Sequence, residues 1–154
     1  MSSPATRLAD LGITLPAAAA PAANYVPSVI AGGLLHISGQ IPFGPDGKPW
    51  QGRLGDTLDT AQGAALARLC AINLIAQMQA ALGSLDRVER IVKLGVFVSS
   101  TPDFTQQPEV GNGASDLMVA VFGDAGRHAR SAVGVAVLPR GVGVEIDAIV
   151  AIKP

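Results

Sequence analysis

Residues 56–99 read DTLDTAQGAALARLCAINLIAQMQAALGSLDRVERIVKLGVFVS, one long helical pattern followed by a strand pattern. Ala61, Ala65, Leu69, Ile72 and Ala76 fall on one helical stripe, and Leu66, Leu74, Met78 and Leu82 broaden it. Asp56 or Thr57 is placed to cap this helix, and Gly83 stands just past its end, where a left-handed residue is favoured. Arg68 is the only charge between Thr60 and Leu82, which predicts a helix lying on a sheet and partly covered on its other side. In Val88–Ser99, Val92, Leu94, Val96 and Val98 fall on one face and Lys93 and Phe97 on the other. That partial alternation fits a strand covered on both faces.

Toward the N-terminus, Pro4 to Gly12 predicts a short helix with Leu8 and Leu11 on one side, and the Ala/Pro-rich residues 16–23 read as a linker. Tyr25–Ile30 and Leu34–Gln40 around Gly32-Gly33 predict a hairpin, and Pro42–Trp50, with Pro45-Asp46-Gly47, a loop. Toward the C-terminus come a loop (Pro102–Gly111), a helix (Asn112–Val121, with Leu117, Met118 and Val121 apolar) and a hairpin of Ser131–Leu138 and Val144–Ile152 about Pro139-Arg140-Gly141. The order ββαβαββ predicts an α+β fold, a mixed sheet with helices on one face. Residues 1–23 form an N-terminal extension and 24–154 the domain proper.

A chain of 154 residues predicts one domain. Eleven basic against 12 acidic side chains leave a formal net charge of -1, no excess with which to displace counterions, so no nucleic-acid partner is expected. Charged residues make up 15% of the chain, against roughly 25% in an average domain, while 49% is apolar and mean hydropathy is +0.39. So few charges on so small a domain predict a homo-oligomer. No unbroken apolar run reaches membrane-spanning length and the N-terminus lacks a signal-peptide pattern, so no membrane contact and a cytoplasmic location are expected. Cys70, His36 and His128 have no zinc-site spacing, and Gly111-Asn112-Gly113 lacks the later glycine of a dinucleotide fingerprint, so no metal and no phosphate cradle are expected. Cys70 reads as a small buried hydrophobe, His36 as a packed strand residue, and His128, next to Arg130, as a loop residue rather than a general base, close enough to a cleft there to tune that cleft.

Two charges sit oddly in apolar strands, Arg130 and Glu145. A solvated edge or a structural ion pair would account for them without any chemistry. In the expected hairpin Glu145 faces Ala136, six residues or roughly 20 Å from Arg130 at ~3.3 Å per residue, with both on the same face. They share a pocket only if another subunit supplies one of them.

Ser38-Gly39-Gln40-Ile41-Pro42, Arg130-Ser131-Ala132-Val133, Leu138-Pro139 and Val144-Glu145-Ile146-Asp147-Ala148-Ile149 resemble the signature blocks of the RidA/YjgF enamine/imine deaminases, also called L-PSP endoribonucleases. The likeness runs from about Asn24 to Ile152. It implies a chorismate-mutase-like homotrimer with a central barrel and active sites between subunits. It also implies cofactor-free hydrolysis of imines such as 2-aminoacrylate to 2-keto acids and ammonia. By the same resemblance Arg130 grips the substrate carboxylate, Glu145 and the Ala132 carbonyl hold the attacking water, and Tyr25, Ser38, Gly39 and Asn112 line the substrate site. A half-buried strand aromatic, a turn and an N-cap account for Tyr25, Ser38-Gly39 and Asn112 in simpler terms. The longer N-terminus, the loop 102–111, and Ser115 where many members carry an aromatic depart from the short family pattern. The N-terminal helix and Trp50 are expected to lid or crowd the cleft, which leaves substrate size open to a bulkier or different imine. A non-catalytic trimer binding keto acids and an endoribonuclease are the rival readings.

Overall fold

The structure, a computed structural model, describes residues 2–154. Gly32 and Gly33 take φ of 58° and 75°, a two-residue turn that glycine accepts at no steric cost. It folds β1 (Ser28–Ala31) onto β2 (Leu34–Gln40) as an antiparallel hairpin. β1 starts at Ser28 rather than Tyr25, because Tyr25 sits in the bend that leads into the strand. Before it, Ser3 caps α1 (Pro4–Asp10), where Leu8 is buried while Leu11, expected on the same side, is exposed beyond the helix end.

The long apolar pattern is α2 (Thr60–Leu82), ending at Gly83 with φ 76° as expected. Its cap is Asp59 rather than Asp56 or Thr57. Asp59 accepts from the Gln62 amide at 2.8 Å while the Gln62 side chain accepts from the Asp59 amide at 2.9 Å. The Thr57 hydroxyl is spent on the Arg53 amide. By length and mean hydropathy α2 is long and apolar enough to cross a bilayer, although Gln, Asn, Gly and Arg interrupt its apolar runs. Here more than half of that stretch is buried, with Leu66, Leu74, Ile75 and Met78 fully enclosed.

β3 (Val88–Ser99) follows α2, and then α3 spans Gln107–Phe122, opening with Pro108 in its first turn, where a missing N–H costs nothing. The helix thus begins five residues before Asn112, and the second half of the expected loop 102–111 is helical. α2 and α3 pack closely at glycines: a Cβ on Gly63 would strike Leu54 and Val110, and one on Gly113 the Ala64 carbonyl.

β4 (Ala129–Val135) and β5 (Val144–Ile152) complete a mixed sheet of order β1-β2-β5-β3-β4, with both long helices on one face. This corrects the expected terminal hairpin. β5 pairs antiparallel with β2 and β3, and β4 pairs parallel with the far side of β3, so the last two strands never touch. The crossover through α3 makes a parallel neighbour, and the chain after Val135 leaves the sheet instead of turning back. A bulge between Ile91 and Lys93 also moves Val92 off the buried face that Ile91, Leu94, Val96 and Val98 share.

Candidate active site

β2 carries an irregularity. Ile37 pairs with Ala148 but Gln40 with Ile146, so one extra residue is accommodated at Ser38-Gly39. Glu145 of β5 lies over that spot, and a Cβ on Gly39 would stand 2.5 Å from Glu145 Oε1. The close approach of the carboxylate is what requires the glycine. The Ser38 hydroxyl donates to the Val26 carbonyl at 2.8 Å and fastens the segment carrying Tyr25 to β2.

Glu145 opens into a cavity of about 480 Å³ that it shares with Tyr25, Gly39, Arg140 and the extended stretch Ala19–Ala23. Two amides of α2 build this wall. Asn73 donates to the Ile41 carbonyl at 2.8 Å, and Gln77, almost wholly buried, donates to the Ala19 carbonyl at 2.9 Å. The Tyr25 hydroxyl accepts from the Ala22 amide at 3.3 Å. Burial, aided by the neighbouring charge of Asp147, pushes the Glu145 carboxyl above the ordinary glutamate value. Burial raises Asp147 too, opposed by a hydrogen bond from the Gly95 backbone and by the Lys93 charge.

Arg130 occupies a different place. It pairs with Leu94 across β3–β4 and therefore points to the helix side, whereas Glu145 pairs with Phe97 and points to the open face. The same-face expectation came from a hairpin register that does not form. Arg130 Nη1 donates to Asn112 Oδ1 and Ser115 Oγ at 3.0 Å each, and Nη2 to the Pro108 carbonyl at 3.1 Å. Asn112 is thus an acceptor within α3 and not its N-cap. Gly111 makes room, since a Cβ there would stand 3.0 Å from Arg130 Nη1. Behind Ser115, Oγ and His128 Nε2 are 2.9 Å apart, and His128 Nδ1 lies 2.6 Å from the Gly126 carbonyl.

The expected residues therefore fall into two groups. Tyr25, Gly39 and Glu145 share a cavity; Arg130 and Asn112 are hydrogen-bonded on the other side of the sheet; Ala132 lies two residues beyond Arg130 on the edge strand. Among the described residues neither Arg130 nor Glu145 has an ionic partner, and the one ion pair joins exposed Arg127 and Asp124. Gly111, Ser115, Pro108 and Arg140 were not read as site residues. Pro108, Gly111, Asn112 and Ser115 recur at helical spacing, a signal readable only once α3 starts at Gln107. Cys70 is fully buried against Val144 and its thiol is pushed up by desolvation, while His36, expected to be packed, stands exposed on the open face.

The fold and these residue blocks define a known class. A family model described as "YjgF/chorismate mutase-like, putative endoribonuclease" matches residues 5–145, and the chain belongs to that family. Protein TCP17 of Trypanosoma cruzi is 58% identical over 147 residues, covering 95% of this chain and 92% of its own. A crystal structure from Shewanella oneidensis, given the same endoribonuclease description, is 35% identical at a TM-score of 0.94, covering 98% of this chain and all of its own. RidA from an Antarctic Psychrobacter is 32% identical at a TM-score of 0.61, covering 91% and 97%.

Proposed function

We propose that the protein hydrolyses imines and enamines of 2-keto acids, releasing the keto acid and ammonia, in a homotrimer whose sites lie between subunits. The observation that carries this reading is the complementary state of the two charges. Arg130 is held by neutral acceptors alone, and Glu145 is half-buried beside an open cavity without a cation bound to it. Three hydrogen bonds use three of the five guanidinium donors, leaving Nε–H and one Nη2–H, a pair that a carboxylate accepts side-on. A carboxylate with a lifted pKa is a better base for the attacking water than an ordinary glutamate. The water's oxygen bonds to the imine carbon as the C=N π pair moves to nitrogen, and Glu145 relays the water's proton to that nitrogen. The hydroxyl so formed then gives its remaining proton, again through Glu145, to the amine, and ammonia leaves with the C–N bonding pair as the carbonyl forms.

Within one chain the two charges face opposite sides of the sheet, so the reading requires the edge strand β4 and helix α3 of one copy beside the cavity of the next. The unpaired edge of β4 and the exposed Val133 and Val137 supply surface for such a contact. The test is a steady-state assay of 2-aminoacrylate loss, generated in situ by a lyase. Acceleration that disappears in both Arg130→Ala and Glu145→Ala supports the reading. No acceleration overturns it. The relatives' endoribonuclease description makes RNA cleavage the second reading, and cleavage abolished by Glu145→Ala would favour it. The formal net charge of -1 weighs against it.

A further inference from the structure

Within one chain the cavity beside Glu145 is roomy, and most of its lining is apolar. Pockets of about 300–1,000 Å³ enclose whole drug-sized ligands, and within one chain, before a neighbouring copy covers its mouth, this one measures about 480 Å³. Its polar groups are Glu145, Gln40 and Arg140 together with the Gly39 backbone, the Gln40 amide being already turned to the Ser38 carbonyl. The remainder is the Ala19–Ala23 strap, faced by Tyr25, Ile41, Phe43 and Pro139. The strap is a built wall. Gln77, enclosed in α2, holds its Ala19 carbonyl, and the Tyr25 hydroxyl receives its Ala22 amide. Small side chains along this strap keep the space open, where larger ones would fill it.

From this arrangement we infer that the cavity is a side-chain subsite and that the protein's preferred substrates are 2-imino acids bearing a branched aliphatic or aromatic side chain. The inference rests on the deaminase reading only for the reaction. On the proposed reading the carboxylate lies toward Arg130 of a neighbouring copy and the imine carbon at Glu145, and the strap of this chain then offers the apolar body its place. A reaction that supplies it must oxidise or eliminate from an amino acid with a bulky apolar side chain. Arg140 at the same cavity makes an acidic side chain the rival, and its αL backbone (φ 58°), unique among the described non-glycine residues, holds that turn beside the mouth.

Binding of the product keto acids reads the subsite without turnover. Titration calorimetry on the full-length protein compares pyruvate, 4-methyl-2-oxopentanoate and 2-oxoglutarate. The branched acid should bind on the order of tenfold or more tighter than pyruvate, as added methylenes in an apolar pocket do. Ala20→Phe, which adds bulk to the strap, should erase most of that ratio, and Phe43→Ala should reduce it. Equal or weaker binding of the branched acid, tighter binding of 2-oxoglutarate, or no keto-acid binding at all would overturn the inference. The two readings fail separately. Branched-acid preference without imine hydrolysis sinks the deaminase alone, and hydrolysis of small imines with no such preference sinks the subsite alone.

Discussion

The two halves of the candidate site treat charge in opposite ways. Arg130 is over-provided with neutral acceptors, with Asn112, Ser115 and the Pro108 carbonyl all turned to it and Gly111 cut back to admit it. Glu145 is under-provided: it is desolvated, has acidic Asp147 as a neighbour, and lies over a glycine that offers no side chain to bond it. A group that must hold a ligand gains from being fixed before the ligand arrives. A group that must take a proton gains from being less comfortable as an anion. On the proposed reaction the contrast separates a gripping group from a reacting one and gives each a distinct kinetic signature.

The largest effect should come from the reacting half. Glu145→Gln keeps the size and removes the base, so kcat for 2-aminoacrylate hydrolysis should fall on the order of 10²-fold or more with KM little changed. Retained kcat would show that the discomfort of this carboxylate serves no reaction. The acid limb of the wild-type pH–rate profile should lie above the ordinary glutamate range, because activity is lost as pH falls through the raised pKa. Stability has the opposite sense. A carboxyl raised in the folded state stabilises fully below its unfolded pKa, and that contribution is lost as pH rises through the folded value. Glu145→Gln should therefore raise the melting temperature at neutral pH and not at strongly acid pH, read by thermal scans across the two conditions.

The gripping half comes next. Arg130→Ala removes a side-on fork and should cost about 10²-fold in kcat/KM, mostly through KM. Arg130→Lys keeps the charge but not the fork and should recover about tenfold of that loss. If Lys recovers everything, simple charge suffices and the three α3 acceptors are incidental.

The contrast also explains which parts were legible in the sequence. Some local signals carry through to the structure: Gly32-Gly33 marks the first turn, Leu34–Gln40 spans β2 and Gly83 ends α2, whereas the cap of α2 lies at Asp59 and β1 begins at Ser28. The family blocks point to Arg130 and Glu145, but chain adjacency does not give their mutual placement, because the consecutive strands β4 and β5 are not neighbours. β3 lies between β4 and β5, and that depends on which strands meet over long range rather than on the turn at Pro139 to Gly141. The Arg130 cradle stayed hidden for a related reason. Starting α3 at Asn112 left Pro108 and Gly111 outside it, and a proline in the first helical turn looks like a loop residue until the strand before it is placed.

The smallest effect lies behind Arg130. Because Nη1 donates to Ser115 Oγ, the Ser115 hydroxyl is free to donate to His128 Nε2, and His128 Nδ1–H to the Gly126 carbonyl. Ser115 thus orients Arg130, and His128 orients Ser115. Removing one of three bonds to a guanidinium is worth about 1 kcal/mol, so Ser115→Ala should raise KM roughly five-fold and leave kcat alone, Asn112 and Pro108 still holding the fork. His128→Ala, one step further out, should raise KM about two-fold. His128→Gln should restore part of it, since the amide oxygen can accept the Ser115 proton. A purely structural role for the pair would instead lower the melting temperature in all three variants with KM unmoved. That outcome would leave Arg130 held by Asn112 and Pro108 alone and take Ser115 and His128 out of the gripping half.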